Sequence, residues 1–224
     1  EEILQILNKG SKPIGIKITI PEGYEIRNIA EKLESAGITD FDSFISDTSN
    51  VDLYKSQYPY LNLPEVKSLE GFLFPDTYYI SKEATNEQII KMFLDRFSEV
   101  YEEQQLESKI QESGLNINEF ITLASIVERE AVKKEERPII AGIFYNRLSI
   151  QMPLQSCATV QYILKERKPV LSIADTKIDS PYNTYLIKGL PPTPIASPGL
   201  DAILATSNPQ QTNFLYFVAK GDGG

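Results

Sequence analysis

The sequence predicts an α+β fold, in which a helix-rich core lies beside a small sheet. Isoleucines recur at every second position from Ile14 to Ile20 in "KPIGIKITI", which is typical of a strand. Several longer segments carry apolar residues at helical spacing behind cap signals, and the chain shows no internal repeat. With 224 residues, 42% of them hydrophobic, the chain is long enough to bury a substantial core.

Cap residues and periodicity predict the helices in order. The first follows the turn "PEGYEI" and ends near Gly37, and the second begins after Asp40. A capping box from Thr85 to Gln88 opens a long amphipathic helix, and Asn116 is the predicted N-cap of "INEFITLASIVERE". Three further helices are predicted in "EERPIIAGIFYNRLSI", "SCATVQYILKE" and "GLDAILATSNP", and a last strand in "NFLYFVAKG".

A domain boundary is predicted in "YPYLNLPEVKS", which has two prolines and no periodicity. Residues 12–60 would then form a small strand–helix–helix module. Residues 65–224 would form a mixed, helix-rich α+β domain that holds most of the polar motifs.

Composition excludes several classes of function. The net charge of −9 argues against nucleic acid as a partner, because phosphates require a basic surface. The absence of histidine excludes Ser-His-Asp and Cys-His catalysis and histidine-rich zinc sites. No P-loop, dinucleotide-binding or EF-hand motif is present, so we expect no cofactor and no metal. The single cysteine, Cys157, has no imidazole partner and is predicted to be a small packed side chain rather than a nucleophile.

Glu128 stands where a helix should be apolar. At about 100° per residue, it falls within the stripe formed by Ile117, Ile121 and Ala124, whereas Glu130 falls on the opposite, water-facing side. Burial raises the pKa of a carboxyl group, and a raised pKa suits a general acid. The alternative is a structural glutamate paired with an arginine, Arg147 or Arg137.

Without histidine, metal or cofactor, a carboxylic acid fits protonation of a glycosidic oxygen best. Amide, hydroxyl and aromatic side chains in the following segments are the usual materials of a sugar-binding groove. These are Asn146, Gln155, Ser156, Thr159, Gln161, Tyr182, Asn183 and Tyr185. Each taken alone is equally typical of a turn or a helix cap.

Five segments together resemble the YceG-like (MltG) family of endolytic murein transglycosylases, in the family's order and over roughly residues 13–224. They are "LEGFLFPDTYYI", "LASIVERE", "GIFYNRLSIQMPLQSCATVQYIL", "SPYNTYLIKGLPPTPIASPGLDAI" and "NFLYFVAKGDGG". The resemblance implies that Glu128, the first glutamate of "SIVERE", is catalytic. Glu70 matches the family's "EGF" element, and residues 182–185 match its "YNTY" element. Residues 12–60 resemble the family's small LysM-like module.

The resemblance also implies a mechanism. Glu128 would protonate the oxygen of the MurNAc-GlcNAc β-1,4 bond within a glycan strand and then act as a base toward the muramic C6 hydroxyl, leaving a 1,6-anhydroMurNAc end. Glu70 would orient Glu128, tune its pKa or bind sugar; structurally, it would cap a turn or pair with an arginine. Two alternatives stay open: a non-catalytic glycan-binding scaffold of the cell-wall synthesis machinery, and a hydrolase using both Glu70 and Glu128 at about 5–9 Å.

The expected partners and location follow from the same resemblance. The partners are peptidoglycan glycan strands and, nearby, cell-wall synthetic enzymes. Family members carry an N-terminal membrane-spanning helix that is absent from this sequence, which implies a single-pass protein of the cell membrane with an extracytoplasmic catalytic domain. They also continue past Gly224 into a segment that usually contains a histidine, which implies that the catalytic domain here is C-terminally truncated.

Overall fold

The computed structural model describes residues 15–64 and 66–218. Two strands, β1 (Ile16–Thr19) and β2 (Thr77–Ile80), accompany the helices α1 (Ile26–Ser35), α2 (Phe41–Ser49), α3 (Asn86–Glu103), α4 (Leu106–Ser113), α5 (Ile117–Glu130), α6 (Arg137–Ser149), α7 (Cys157–Leu164) and α8 (Leu200–Ser207). The predicted α+β class, helix-rich with a small sheet, is confirmed. The LysM-like character of the N-terminal part stays a prediction.

The strands β1 and β2 form an antiparallel pair, in register from Ile16 opposite Ile80 to Thr19 opposite Thr77. The alternating isoleucines explain β1, because Ile18 on the strand and the following Ile20 are buried. Strand β1 belongs to the predicted module 12–60 and β2 to the predicted domain 65–224, so the strand pair connects these two parts. The division into these two units stays a prediction, and residues 12–14 lie outside the described part.

Three of the predicted helix starts are confirmed by side-chain caps. Asp40 accepts a hydrogen bond from the backbone N–H of Ser43 at the start of α2. Capping boxes open α3 at Thr85 and α5 at Asn116. Each box satisfies backbone donors that would otherwise lack a partner at the helix terminus.

One helix was not predicted, and one predicted strand is wrong. The short helix α4 was not predicted, because Leu106 and Ile110 are its only buried apolar residues. The predicted strand "NFLYFVAKG" is wrong for residues 213–218, which have no regular structure; residues 219–221 lie outside the described part. In this C-terminal segment (residues 212–218), backbone carbonyls accept hydrogen bonds from the side chains of Asn146 and Arg147 instead of pairing with a strand.

Helix α5 joins the two parts of the hydrophobic core. Ile117 and Ile121 pack in a large cluster with α1, α3 and the strands. Ile126 and Val127 pack in a second cluster with α6, α7 and α8. The last turn of α5, which carries Glu128, is therefore held from several sides. None of the helices in the described residues combines the length and apolar character that crossing a membrane requires.

Candidate active site

Glu128 lies on the last turn of α5 and is only 9% exposed, which confirms the burial predicted from helical phase. Glu130 is half-buried rather than open to water. It accepts hydrogen bonds from the hydroxyl of Ser156 and from the backbone N–H of Ala158 at the start of α7. The two glutamates of "ERE" therefore have different environments, with Glu130 serving as a cap for α7.

The carboxylate of Glu128 has two hydrogen-bond donors. Its Oε1 accepts from Nη2 of Arg137 at 2.5 Å, and its Oε2 accepts from the backbone N–H of Gly199 at 3.0 Å. Arg137 is one of the two arginines predicted to pair with Glu128 if that glutamate is structural. The ion pair between Arg137 and Glu128 is confirmed. The guanidinium also lies 3.5 Å from a carboxylate oxygen of Glu22 and 3.5 Å from one of Asp201. One cation therefore serves three carboxylates.

Burial raises the pKa of Glu128 above its ordinary value. The Gly199 N–H and the Arg137 charge act in the opposite direction, whereas the charges of Glu22 and Asp201 raise the pKa further. Burial thus outweighs the adjacent guanidinium, whose charge is shared among three carboxylates. The carboxyl group therefore keeps its proton to a higher pH than an exposed glutamate does, as a general acid requires.

A loop from the N-terminal part, the covering loop (residues 22–25), closes over Glu128. The backbone N–H of Gly23 donates to the carbonyl of Ser197 at 2.8 Å, and the N–H of Ser197 donates to the carbonyl of Tyr24 at 2.8 Å. A Cβ on Gly199 would lie 2.1 Å from the Glu22 carboxyl group, so only glycine lets Glu22 approach. Sequence reasoning missed Glu22 because it lies far from Glu128 in the chain and its pattern is that of a turn.

The covering loop also connects Glu128 to a second buried carboxyl group. Glu25 pairs with Arg27 at 2.7 Å and with Arg129, the residue after Glu128, at 3.1 Å. Burial lowers the pKa of Arg129, and the charge of Arg167 lowers it further. The next residue after the loop, Ile26, donates its backbone N–H to both oxygens of Glu70, at 3.1 and 3.2 Å.

Glu70 is 4% exposed and forms no ion pair within the part of the chain that the structure describes. Burial raises its pKa from 4.5 to about 8, although the Ile26 N–H at the start of α1 favours the charged form. The following residue, Gly71, has φ +87°, and a Cβ there would lie 2.4 Å from Pro194. The "EG" pair thus places an acid that is protonated at neutral pH beside a turn that only glycine can make.

Glu70 lines a cavity of about 510 Å³ between α1, α2 and α7. Two tyrosines of the cavity wall, Tyr162 and Tyr182, have ring centroids 5.2 Å apart. Burial, followed by the charge of Glu70, raises the pKa of Tyr162. The cavity combines aromatic surface with a few polar groups, as small-molecule sites do.

These features can be compared with known proteins. The YceG-like family model matches residues 1–224. The chain belongs to the YceG-like family. It is 38% identical to an endolytic murein transglycosylase of Streptococcus pneumoniae (strain ATCC BAA-255 / R6), covering 98% of the chain and 44% of that protein. It is 34% identical to one of Bacillus subtilis (strain 168), covering 100% of the chain and 64% of that protein.

A solved structure of a YceG-like protein from Listeria monocytogenes has the same fold. Its TM-score is 0.85 at 30% identity, and the match covers 100% of this chain and 76% of that one. The chain spans about half the length of the curated relatives it matches, 44% of one and 64% of the other. The family resemblance predicted from the ordered segments is confirmed.

The predicted binding residues of this YceG-like chain lie in different environments. Tyr182 joins Glu70 at the cavity, with its hydroxyl 2.7 Å from that of Thr193. Buried Ser156 and Thr159 bond to Thr184, which holds α7 against the "YNTY" turn.

The other predicted binding residues are placed by the turns and the C-terminal segment. Asn183 is fully buried and donates to the carbonyls of Thr176 and Ile178. Asn146 holds the C-terminal segment, whereas Gln155 is exposed. The roles of these residues in binding stay predictions.

Cys157 is exposed, so the prediction of a packed side chain is wrong. As the first residue of α7 it faces solvent, with its Sγ 3.1 Å from the hydroxyl of Tyr185. Burial, followed by the hydrogen bond to Cys157, raises the pKa of Tyr185. In the described residues, no group of three or more histidine, cysteine or acidic side chains is placed to hold a metal ion.

Proposed function

We propose that this chain carries the activity of an endolytic peptidoglycan lytic transglycosylase, with Glu128 as its general acid and then base. The observation that carries the proposal is a carboxyl group buried on an apolar helix face, with a raised pKa, in a member of the YceG-like family. Two relatives bear the name endolytic murein transglycosylase. Peptidoglycan glycan strands are therefore the proposed substrate.

In the proposed reaction, protonated Glu128 gives its proton to the oxygen of the MurNAc-GlcNAc β-1,4 bond as that bond breaks. The carboxylate that results then removes the proton of the muramic C6 hydroxyl, whose oxygen bonds to C1 and closes the 1,6-anhydro ring. One carboxyl group thus performs both proton transfers, and no water is consumed. Positive charge that develops at C1 is stabilised by the nearby carboxylates, among them Glu22.

Arg137 fits this cycle because its charge is shared. Its Nε and Nη1 are buried and have no hydrogen-bond partner among the described residues. Buried donors of this kind normally find a partner, and the Asp201 carboxylate lies 3.5 Å from Nη1. After Glu128 has lost its proton, Arg137 stabilises the carboxylate until the C6 hydroxyl returns a proton.

The ion pair also favours a second candidate function. A glutamate held by Arg137 beneath the covering loop is what a non-catalytic, glycan-binding scaffold would have. The raised pKa and the shared guanidinium favour the enzyme, because a purely structural pair would stabilise the charged carboxylate more strongly.

The proposed location is the cell membrane, with a single-pass anchor and an extracytoplasmic catalytic domain near cell-wall synthetic enzymes. The support for this proposal is the family resemblance alone.

The test is to incubate the protein and its Glu128→Gln variant with uncrosslinked glycan strands and to identify the products by mass spectrometry. Glu119→Gln is the matched control, because residue 119 lies on the same helix and glutamine can replace it in the capping box. We expect 1,6-anhydroMurNAc ends from the wild type and the control, and at least a 100-fold loss in Glu128→Gln.

Other products separate the alternatives. Reducing ends in place of anhydro ends would refute the lytic step and indicate a hydrolase that uses Glu70 as a second carboxyl group. Strand binding without cleavage by any of the three proteins would favour the scaffold.

A further inference from the structure

A second concave surface, the tyrosine groove, runs along α3, and none of the groups that contact Glu128 lines it. It consists of two adjoining cavities of about 660 and 550 Å³, which share Tyr101, Glu102 and Glu107 as lining residues. Residues 57–60 form one wall, and α3 with the start of α4 forms the other. Each cavity is large enough to hold a ligand, and the proposed reaction gives the groove no role.

The rings of Tyr58, Tyr60 and Tyr101 form one aromatic wall of the groove. The ring centroid of Tyr60 lies 5.9 Å from that of Tyr58 and 5.6 Å from that of Tyr101. The hydroxyl of Tyr58 donates to Asp95 at 2.6 Å, and the hydroxyl of Tyr60 lies 3.1 Å from that of Ser98. Tyr60 and Tyr101 are half-buried, so part of each ring stays accessible. Such rings attract cations and pack against apolar rings.

The charge of the groove is negative and uncompensated. Asp95, Glu102 and Glu107 are exposed along it, and no lysine or arginine lines it among the described residues. The cations of α3, Lys91 and Arg96, form their ion pairs with other carboxylates. An aromatic wall beside unpaired carboxylates is complementary to a ligand that carries positive charge.

The spacing of the carboxylates indicates the form of that ligand. Asp95 and Glu102 lie seven residues apart on α3, so they share a helix face and are separated by about 10 Å along its axis. In a polyproline II segment, residues i and i+3 lie on the same side, about 9 Å apart. Aromatic grooves bind segments of this type through their proline rings. Arginines at i and i+3 would each reach one carboxylate, and the prolines between them would contact the tyrosines.

We propose that the tyrosine groove docks a basic, proline-rich segment of a partner protein in the polyproline II conformation, with arginines three residues apart beside Asp95 and Glu102. The groove is then an interaction surface, and the proposal does not depend on the proposed function. The net charge of −9 adds a long-range attraction that speeds the approach of a basic partner. The partner would bind without covering Glu128.

The first experiment measures binding of three capped peptides to the whole chain by isothermal titration calorimetry. The probe is acetyl-Gly-Arg-Pro-Pro-Arg-Pro-Gly-amide. One control peptide has citrulline, which is uncharged, in place of both arginines, and the other, acetyl-Gly-Arg-Arg-Pro-Pro-Pro-Gly-amide, has the same composition with adjacent arginines. We expect the citrulline peptide to bind at least tenfold more weakly than the probe, and the adjacent-arginine peptide at least threefold more weakly.

Three outcomes would overturn the proposal. Equal binding of the probe and the citrulline peptide would exclude recognition of charge. Equal binding of the two arginine peptides would exclude the spacing between Asp95 and Glu102. No binding of the probe at about 1 mM would exclude the site.

Two charge-matched double variants locate the site. Glu102→Gln/Glu107→Gln removes two charges from the groove, whereas Glu103→Gln/Glu112→Gln removes two from the same helices, α3 and α4, outside the lining of either cavity. All four glutamates are exposed, so neither variant disturbs the core. We expect the first variant to bind the probe at least fivefold more weakly and the second to bind within twofold of the wild type. Equal losses would show attraction to net charge alone and would refute this location.

A second pair of variants tests the aromatic wall. Tyr101→Phe keeps the ring that packs with Tyr60, and Tyr101→Leu removes it. We expect Tyr101→Phe to bind the probe as the wild type does and Tyr101→Leu to bind it at least threefold more weakly. Wild-type affinity in Tyr101→Leu would show that the wall takes no part and would refute the proposal.

A second copy of this chain is the other occupant to be tested, by sedimentation velocity of the wild type and Glu102→Gln/Glu107→Gln. We expect both to sediment as the same species. A wild-type dimer that this double variant abolishes would mean that the groove holds a second copy, and the proposal would fail. The double variant should also cleave glycan strands at the wild-type rate, so a failure of docking and a failure of the proposed activity can be told apart.

Discussion

Replacing Glu70 with glutamine should change the pH dependence of folding. Burial raises the pKa of Glu70 from 4.5 to about 8, so the native state holds a proton that the unfolded chain releases between these values. The stability from that proton is complete below pH 4.5 and is lost as the pH rises through about 8. At about 1.4 kcal/mol per pKa unit, the loss amounts to about 5 kcal/mol.

Glutamine removes this dependence and keeps an oxygen to accept the N–H of Ile26. We therefore expect the free energy of unfolding of Glu70→Gln to equal that of the wild type near pH 4. At higher pH it should exceed the wild-type value by a margin that grows by about 1.4 kcal/mol per pH unit and reaches about 5 kcal/mol near pH 9. Urea unfolding across this range, followed by far-UV circular dichroism, measures the margin.

The matched control is Glu31→Gln, because Glu31 lines the same cavity but is exposed. Its stability relative to the wild type should stay within about 0.5 kcal/mol across the range. The reasoning would be refuted if the difference in stability between Glu70→Gln and the wild type were also independent of pH, since Glu70 would then have the same pKa in the native and unfolded states.

Three further predictions concern other parts of the chain. Arg137→Leu removes the cation that lowers the pKa of Glu128, so the alkaline limb of the pH–rate profile should move to higher pH, and urea unfolding should show a loss of about 3–5 kcal/mol. Arg137→Lys should restore part of the stability and part of the wild-type position of the alkaline limb. If the alkaline limb were unchanged in Arg137→Leu, it would not report the ionisation of Glu128. Gly142→Ala places a Cβ 2.2 Å from the backbone oxygen of Gln210, so thermal unfolding should show a net loss of stability despite the better helix propensity of alanine. A rise in Tm would contradict that contact. Asn146→Ala removes two hydrogen bonds to the C-terminal segment, so limited proteolysis should cut that segment faster while the unfolding midpoint changes little. An unchanged cleavage rate would show that these bonds do not hold the segment.

Helix boundaries and the burial of Glu128 were predictable because they depend on neighbours in the sequence. Asn116 caps α5, and the stripe of Ile117 and Ile121 fixes the face on which Glu128 lies. Arg137 was within reach of the same reasoning, since it lies nine residues from Glu128. Local periodicity thus located the candidate acid and one of its partners.

The rest of the site depends on contacts between distant residues. Glu22 reaches Arg137 across 115 residues, and Ile26 reaches Glu70 across 44. A turn pattern such as "PEGYEI" indicates where a chain bends but not what lies beneath the bend. The C-terminal segment gave the opposite error: a strand was predicted there, but its carbonyl groups accept hydrogen bonds from side chains of α6.

The antiparallel pairing of β1 with β2 constrains which truncated fragments of this protein are suitable for expression. A fragment that starts at residue 65 would keep β2 but lose β1, leaving β2 with an unpaired edge. It would also lose the covering loop, and the last turn of α5 would then be hydrated. Such a fragment would be prone to aggregation and would be a poor test of the proposed activity. A shortened version should keep everything from β1 onward.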